Sequence, residues 1–357
     1  MPEAFPQIEV AIAASTGAVG QRFVEQLHNH PYFNVSALAA SDRSAGKLYG
    51  EAVDWRLDSE LPQEISGMEL MPLIELGDPT SPNVVFSALP SNAADKIETH
   101  LAAAGKAVFS NAPDHRMDED VPLVIAEINS DHMRLTDQQT TSGFIVANAN
   151  CSSIMATLMF APLEEQFGID EAHIFTQQAL SGAGYPGVSA MDITDNVIPF
   201  IAGEADKLRR EPLKMLGTAY QAADFPIFPT VSRVNVRDGH LIVAHLSLRE
   251  TVDLELEHIA EALASFRGPE EVRNLPSAPK LPIHVLSQPD RPQPRLDRDT
   301  ENGMSVSIGQ ISEEPNTDRM GRRVFKLIGL GHNTLRGAAG QSVLNAELAY
   351  ARGLLTP

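Results

Sequence analysis

The feature that most constrains this chain is the run Ile8-Glu9-Val10-Ala11-Ile12-Ala13, followed at once by Ser15-Thr16-Gly17 and a helix-like stretch over 19–27. A run apolar at nearly every position suits a strand covered on both faces, the habit of parallel sheets. The pattern then repeats. Residues 35–39 read as a second strand ending at Ser41, and Val84-Val85-Phe86-Ser87-Ala88-Leu89 as another. An alanine-rich helix over 92–104 follows, with Gly105 placed to cap it, and Ala107-Val108-Phe109 opens a further strand. Strands alternating with helices in this way predict an α/β, Rossmann-type, doubly wound parallel sheet.

After Phe144-Ile145-Val146-Ala147 the texture changes. Longer strands are expected over 174–180, 241–248, 304–308 and 324–330, with one clear helix over 254–266. This is α+β texture with a mixed or antiparallel sheet, which suits a second domain. Seven prolines between Pro269 and Pro294 predict an extended arm or surface loop. Residues 335–354 read as one long alanine-rich helix. The expected division is 1–150 plus about 335–357 for the first domain, the C-terminal helix packing back onto it, and 151–334 for the second.

Composition removes several functions. Lys+Arg is 27 against Asp+Glu at 47 in 357 residues, a formal charge of −20, so nucleic acid is not an expected partner. Any anion site must be built from a few local cations. No run approaches the roughly 18 apolar residues that span a bilayer, so no membrane partner is expected. The start Met1-Pro2-Glu3-Ala4 lacks a basic leader, which predicts a cytoplasmic chain. A single cysteine excludes an internal disulfide and any multi-cysteine metal site, and no metal is expected.

The turn Ala14-Ser15-Thr16-Gly17-Ala18-Val19-Gly20 lies between a strand and a helix, the context of a dinucleotide site. There the backbone approaches a pyrophosphate and the helix N-terminus supplies N–H groups. Ala14 stands where the first turn glycine normally is, so it needs a negative φ or must accept strain. The end of the second strand reads Ser41-Asp42-Arg43-Ser44-Ala45-Gly46-Lys47. Ser41, Arg43 and Ser44 suit a 2′-phosphate and favour NADP over NAD, while Asp42 argues the other way.

Cys151 lies in Asn148-Ala149-Asn150-Cys151-Ser152-Ser153, between a strand and an amphipathic run over 154–167. A free cysteine is most often an inert small hydrophobe. Here its neighbours are Asn and Ser, and it falls at a helix N-terminus, where the dipole is expected to lower its pKa. Asn150 and adjacent N–H groups are candidates for an oxyanion hole. Gln178 closes a strand before Ser181-Gly182-Ala183-Gly184-Tyr185-Pro186-Gly187, whose glycines suggest a backbone against a ligand. Then come Gly203-Glu204-Ala205-Asp206-Lys207 and Arg233-Val234-Asn235-Val236-Arg237-Asp238-Gly239-His240. A cysteine nucleophile needs a base, and His240 is the leading candidate among eleven histidines. Glu204 with Lys207 could equally be an exposed helix pair, and Arg233 a surface strand residue.

Together these segments resemble the aspartate-semialdehyde dehydrogenase family, in its archaeal and fungal branch, over essentially the whole chain. The most specific motifs are Asn150-Cys151-Ser152, Ser181-Gly182-Ala183-Gly184, Gly203-Glu204-x-x-Lys207, and Arg233 seven residues before His240. Gln178 stands 27 positions after the cysteine (178 − 151 = 27), as in that family, and Gly331-His332-Asn333-Thr334-Leu335-Arg336-Gly337 extends the likeness. Ala14, Ala149 and Ala205-Asp206 depart from the family pattern.

The resemblance implies NADPH-dependent reductive dephosphorylation of L-aspartyl-4-phosphate to the semialdehyde, in lysine, threonine and methionine biosynthesis. It implies a thioester on Cys151, with His240 handling the proton, Gln178 orienting the acyl group and Asn150 beside the nucleophile. Arg233 would grip the α-carboxylate, Glu204 the α-ammonium, and Arg116 with Lys207 the phosphate. Ser15, Thr16, Gly17, Ala18, Val19, Ser41, Arg43, Ser44, Ser87, Leu89, Pro90, Ser181, Gly182, Gly184 and Asn333 would contact the cofactor. The proline-rich segment and the second sheet resemble the family's dimerisation surface, implying a homodimer or homotetramer. Three alternatives stand beside this reading: a malonyl-CoA reductase of the same architecture, the more distant N-acetyl-glutamyl-phosphate reductase, and a non-catalytic dinucleotide sensor. Glu204 and Lys207 favour the aspartyl substrate.

Overall fold

The computed structural model describes residues 7–356, apart from Glu250 and Arg319. Strands β1 (Ile8–Ala13), β2 (Phe33–Ala40), β3 (Leu70–Pro72), β4 (Val84–Ser87), β5 (Ala107–Ser110) and β6 (Phe144–Ala147) form one sheet in the order β3-β2-β1-β4-β5-β6. All of its pairings are parallel. This is the doubly wound order, in which the crevice for a dinucleotide opens where the order reverses, between β1 and β4. All of β1 except Glu9 is buried, as its apolar run requires.

The longer helices are α1 (Ala18–Leu27), α2 (Ser91–Ala103), α3 (Cys151–Phe167), α4 (Glu204–Leu216), α5 (Leu256–Ser265) and α6 (Gly340–Ala351). Phe23 of α1 and Val343, Leu344 and Leu348 of α6 pack with Phe86 and Phe109 on one face of the first sheet. A second core cluster runs from Ala11, Val85 and Leu101 through Ile154 and Leu158 of α3 to Ile174, Ile242 and Ala244. The two sheets therefore share one continuous apolar interior, with α3 between them.

The second sheet contains β7 (Ile169–Gln178), β8 (Ile227–Arg233), β9 (His240–Leu248), β10 (Ile283–Val285), β11 (Val306–Glu313) and β12 (Val324–Gly331), in the order β10-β11-β12-β9-β7-β8. It is antiparallel at its centre and has a parallel pair at each edge, the mixed sheet expected. Its register decides the site. Parallel pairing sets Gln178 beside Arg233 where β7 and β8 end, and antiparallel pairing starts β9 at His240 along the same edge.

Several expectations are corrected. The segment after Cys151 is not amphipathic: Ser152 through Leu163 are all buried, because α3 lies between the sheets and reaches solvent only at its last turn, where Glu165 and Gln166 are exposed. The proline-rich segment is not simply an extended arm or loop. It carries the edge strand β10, whose three residues contain no proline, and Ser277 Oγ donates to the buried Glu347 Oε1 at 2.5 Å. The C-terminal helix is interrupted. Leu335–Ala339 form a π-turn before α6, which ends at Ala351. The strand expected over 304–308 is β11, shifted to Val306–Glu313. Strands β3, β8 and β10 were not expected as elements, and α4 was anticipated only in the alternative that made Glu204 and Lys207 an exposed helix pair.

Candidate active site

Cys151 is the first residue of α3, and Asn150 caps the helix: Asn150 Oδ1 accepts from Ser152 N at 3.0 Å and from Ser153 N at 3.1 Å. That cap satisfies two of the helix's orphan donors and fixes where the thiol begins its reach. Cys151 Sγ lies 3.2 Å from Nε2 of the fully buried His240. The other ring nitrogen, Nδ1, accepts the backbone N–H of Ala179 at 3.0 Å. A nitrogen that accepts from an amide carries no proton, so the neutral ring holds its proton on Nε2 and presents it to sulfur. In this tautomer His240 meets the thiol as a donor, which differs from the base expected of it.

The electrostatics also differ from expectation. The thiol pKa is pushed up to about 12, first by burial and then by the Glu204 carboxylate, while Lys207 and Arg116 pull it the other way. Desolvation of the charged form outweighs the two cations and the Ser152 N–H that favour it. Burial, Arg233 and His332 hold the His240 imidazole well below its ordinary range, so it remains neutral.

Helix α4 delivers a row of charges to this point. Glu204 is its first residue, 4 % exposed, and its Oε1 accepts from Asn150 Nδ2 at 2.8 Å and Gln178 Nε2 at 3.1 Å. Its Oε2 accepts from Lys207 Nζ at 3.3 Å, and Lys207 keeps part of its surface in solvent. The bland reading of Glu204 as an exposed helix residue is therefore excluded. Asn150 thus caps α3 through Oδ1 and holds Glu204 through one N–H of its amide, which leaves the second N–H as the donor it could offer an oxyanion.

Two turns along α4, the buried Glu211 takes the Asn150 backbone N–H at 2.6 Å and Arg116 Nη1 at 3.0 Å. Arg116 Nη2 also donates to Asn111 O at 2.8 Å, while its buried Nε has no partner among the described residues. Glu211 was not singled out in the sequence. Its position seven residues after Glu204 on one helix was the only available clue.

Arg233, 5 % exposed, donates from Nη1 to Ala179 O at 2.7 Å, so Ala179 holds His240 by its N–H and Arg233 by its carbonyl. Gly182 closes over both. A Cβ there would come within 2.9 Å of Arg233 Nη1 and 3.1 Å of His240 Cε1, so a side chain would displace the pair. Asn333 Oδ1 accepts from Gly239 N, and its Nδ2 donates to Ser181 Oγ, each at 2.8 Å.

On the cofactor side, α1 starts at Ala18 with no side-chain cap, leaving its first N–H groups to an anion. A crevice beside it is lined by Ala18, Arg22, Ser181, Gly184, Tyr185 and Thr334. Gly17 is exposed, and Thr16 and Val19 are half-buried. Ala14 adopts φ +59, so it accepts the strain the turn demands. Ser41 and Arg43 are exposed just beyond β2, with Ser44 half-buried and its N–H donating to Ser41 O at 2.8 Å. Ser15 and Ser87 are fully buried: Ser15 Oγ donates to Ala39 O at 3.3 Å, and Ser87 Oγ to Glu98 Oε1 at 2.5 Å. Their side chains face inward, and their backbone is engaged too: Ser15 N donates to Ala39 O at 3.1 Å, Ser15 O accepts from Tyr49 Oη at 3.0 Å, and Ser87 O accepts from Asn111 N at 3.1 Å. Leu89 is buried, and Pro90 is exposed at the start of α2. Among the described residues no cluster could hold a metal, and no helix is long and apolar enough to cross a membrane.

Comparison with known proteins gives this geometry a lineage. Residues 9–136 match the family "Semialdehyde dehydrogenase, NAD binding domain", and residues 160–336 match "Semialdehyde dehydrogenase, dimerisation domain". The chain is 45% identical over 349 residues to aspartate-semialdehyde dehydrogenase of Archaeoglobus fulgidus, covering 95% of this chain and 97% of that one. It is 39% identical to the Aspergillus fumigatus enzyme of the same name, covering 98% and 99%. A crystal structure of aspartate semialdehyde dehydrogenase with NADP from Candida albicans superposes with a TM-score of 0.88 at 37% identity, covering 98% of this chain and 100% of that one. With both domain families matched and relatives similar over nearly their full length, the chain belongs to the aspartate-semialdehyde dehydrogenase family.

Proposed function

We propose that this protein reduces L-aspartyl-4-phosphate to L-aspartate 4-semialdehyde with NADPH, reversibly, through a thioester on Cys151. The observation that carries the reading is the single thiol at a capped helix start, 3.2 Å from His240 and beside the buried Glu204. An amino-acid substrate presents one cation and one anion. Glu204 and Arg233 supply the opposite charges, from the start of α4 and the end of β8. Arginine's planar fork suits the α-carboxylate. The α-ammonium takes the place of Lys207 at Glu204 Oε2, which releases Lys207 toward the phosphate alongside Arg116.

In the first step Sγ bonds to the acyl carbon, the C–O bond to phosphate breaks, and the departing phosphate takes the thiol proton. The Nε2–H of His240 stabilises developing charge on sulfur and, after acylation, on the acyl oxygen. Gln178, held against Glu204, orients the acyl group. NADPH, when bound, would supply a hydride to the thioester carbon. The C–S bond breaks as the aldehyde forms, and the Cys151 thiolate released regains a proton from solvent.

The residues present fit the dinucleotide. The uncapped start of α1 suits its pyrophosphate, and exposed Ser41 and Arg43 suit a 2′-phosphate. The family match to an NAD-binding domain and the NADP-bound Candida albicans relative support this reading. Residues 1–150 with about 335–357 would form the cofactor domain, and 151–334 the catalytic and dimerisation domain, in a cytoplasmic enzyme of lysine, threonine and methionine biosynthesis. The exposed face of the second sheet would bury against a second copy. It carries Phe175 and Phe228, the latter stacked on His173 at 4.9 Å between centroids.

The test is phosphate-dependent NADP reduction with aspartate semialdehyde, run beside NADPH oxidation with malonyl-CoA. Turnover of the first alone supports the proposal, and turnover of the second alone overturns it. Cys151→Ala should still bind NADP while losing phosphate-dependent turnover.

A further inference from the structure

The segment after β12 reaches Cys151 and the residue that leads into His240. Gly337 lies in the π-turn Leu335–Ala339, closed by Gly337 N donating to His332 O at 3.0 Å and Ala339 N to Thr334 O at 3.2 Å. Such single wide turns insert an extra residue and recur at functional positions. Here the turn presents Gly337 to the nucleophile: a Cβ on it would fall 2.5 Å from Cys151 Cβ and 3.0 Å from Cys151 Cα. Neither atom is the end of a flexible side chain. Both belong to the first residue of a capped helix, so they yield only if α3 shifts.

The turn is anchored on two sides. Its Ala338 O accepts from Asn148 Nδ2 at 3.0 Å, three residues before the cysteine. Arg336 is fully buried and donates to Glu127 Oε1 at 2.7 Å. Four residues before Gly337, Asn333 Oδ1 takes the N–H of Gly239 at 2.8 Å, and Gly239 directly precedes His240.

We propose that Gly337 and Asn333 are positioning residues which together set the separation of Cys151 and His240. Gly337 determines how far the Cys151 backbone can approach the turn. Asn333 holds the residue from which His240 enters β9. One rigid segment thus spaces a nucleophile on α3 from an imidazole on the second sheet. The proposal rests on Cys151 being the nucleophile.

The experiment measures inactivation of the full-length protein by iodoacetamide across pH, with neither cofactor nor substrate present, for wild type, Gly337→Ala and Asn333→Ala. NADP binding and steady-state kinetics are measured beside it. Displacing Sγ from Nε2–H removes the donor that favours the thiolate. Gly337→Ala should therefore alkylate more slowly, with its profile moved to higher pH. Its kcat should fall by about tenfold or more while NADP affinity is unchanged, since misplacement of about 1 Å costs up to about a hundredfold. Asn333→Ala should move the alkylation profile the same way, a readout independent of any contact it makes with cofactor.

A merely structural glycine predicts a different pattern. The same close approach would lower the thermal midpoint of Gly337→Ala, while the folded protein would keep the wild-type alkylation profile and kcat. A folded Gly337→Ala with the wild-type profile and kcat overturns the proposal. If that variant does not fold, Asn333→Ala decides alone, and a wild-type profile there overturns it. Full activity in Cys151→Ala would instead remove the thioester reading, a separate failure.

Discussion

Cys151 Sγ stands 3.2 Å from His240 Nε2, while the ring's Nδ1 is occupied by the Ala179 N–H at 3.0 Å. The pair is therefore a thiol facing a neutral imidazole donor, not a thiolate–imidazolium ion pair. A second proton on the ring would point an N–H at the Ala179 N–H, which adds to the depression already caused by burial, Arg233 and His332. Long-range nitrogen–proton NMR should show His240 as the Nε2–H tautomer, without titration between about pH 6 and 9, whereas an exposed histidine titrates near 6.5. A ring that gains a proton within that window would contradict the assignment.

The thiol should be slow to alkylate in the free enzyme. With its pKa pushed up to about 12, the thiolate fraction grows about tenfold for each pH unit below that value. Iodoacetamide inactivation should accordingly keep rising through about pH 10 without a plateau. Glu204 is the principal charge raising the thiol, so Glu204→Gln should alkylate faster than wild type at about pH 8. The same variant should lose turnover of aspartate semialdehyde, because the ammonium loses its counter-charge. A plateau near pH 8.5 in wild type would show that the helix N-terminus prevails over burial.

Arg43→Ala should weaken NADP far more than NAD. A hydrogen bond to a charged group contributes about 1.5–3 kcal/mol, so the Michaelis constant for NADP should rise by roughly one to two orders of magnitude. Equal weakening of both cofactors would mean that Arg43 only shapes the loop.

Ala14 should tolerate glycine and reject valine. Its φ of +59 costs an L-residue about 1–2 kcal/mol, part of which glycine regains despite its greater freedom when unfolded. Ala14→Gly should raise the thermal midpoint modestly, and Ala14→Val, β-branched at a positive φ, should lower it. Calorimetry of the three proteins gives the order directly.

Glu211→Ala should destabilise the protein more than any change at exposed Asp206. It leaves the buried Arg116 guanidinium without its counter-charge and the Asn150 N–H without its acceptor. Deleting one partner of a buried pair costs about 3–5 kcal/mol. A thermal midpoint within a degree or so of wild type would contradict this role.

Local chemistry was enough for most of the nucleotide-binding half, though not for its three-residue edge strand β3. The strands β1, β2 and β4 are largely buried, so their apolar runs announce themselves, and the Asn150 cap marks the start of α3 within a few residues of the cysteine. The short edge strand β10 and the strand β8 escaped this reading, because prolines sit at Pro282 and Pro229 and only pairing with a neighbour makes those segments strands. The sequence could supply the residue types of the site: one cysteine, a histidine after a glycine, a glutamate at a helix start. It could not supply the sign of the thiol's pKa shift. That depends first on an interior that desolvates the thiolate, and then on a carboxylate 54 residues beyond Asn150 being carried to α3 by α4. Nor could it show which imidazole nitrogen carries the proton, since the deciding N–H belongs to Ala179, 61 residues from His240. Periodicity and capping act over a few residues, whereas burial, tautomer and spacing arise only when distant segments exclude water together.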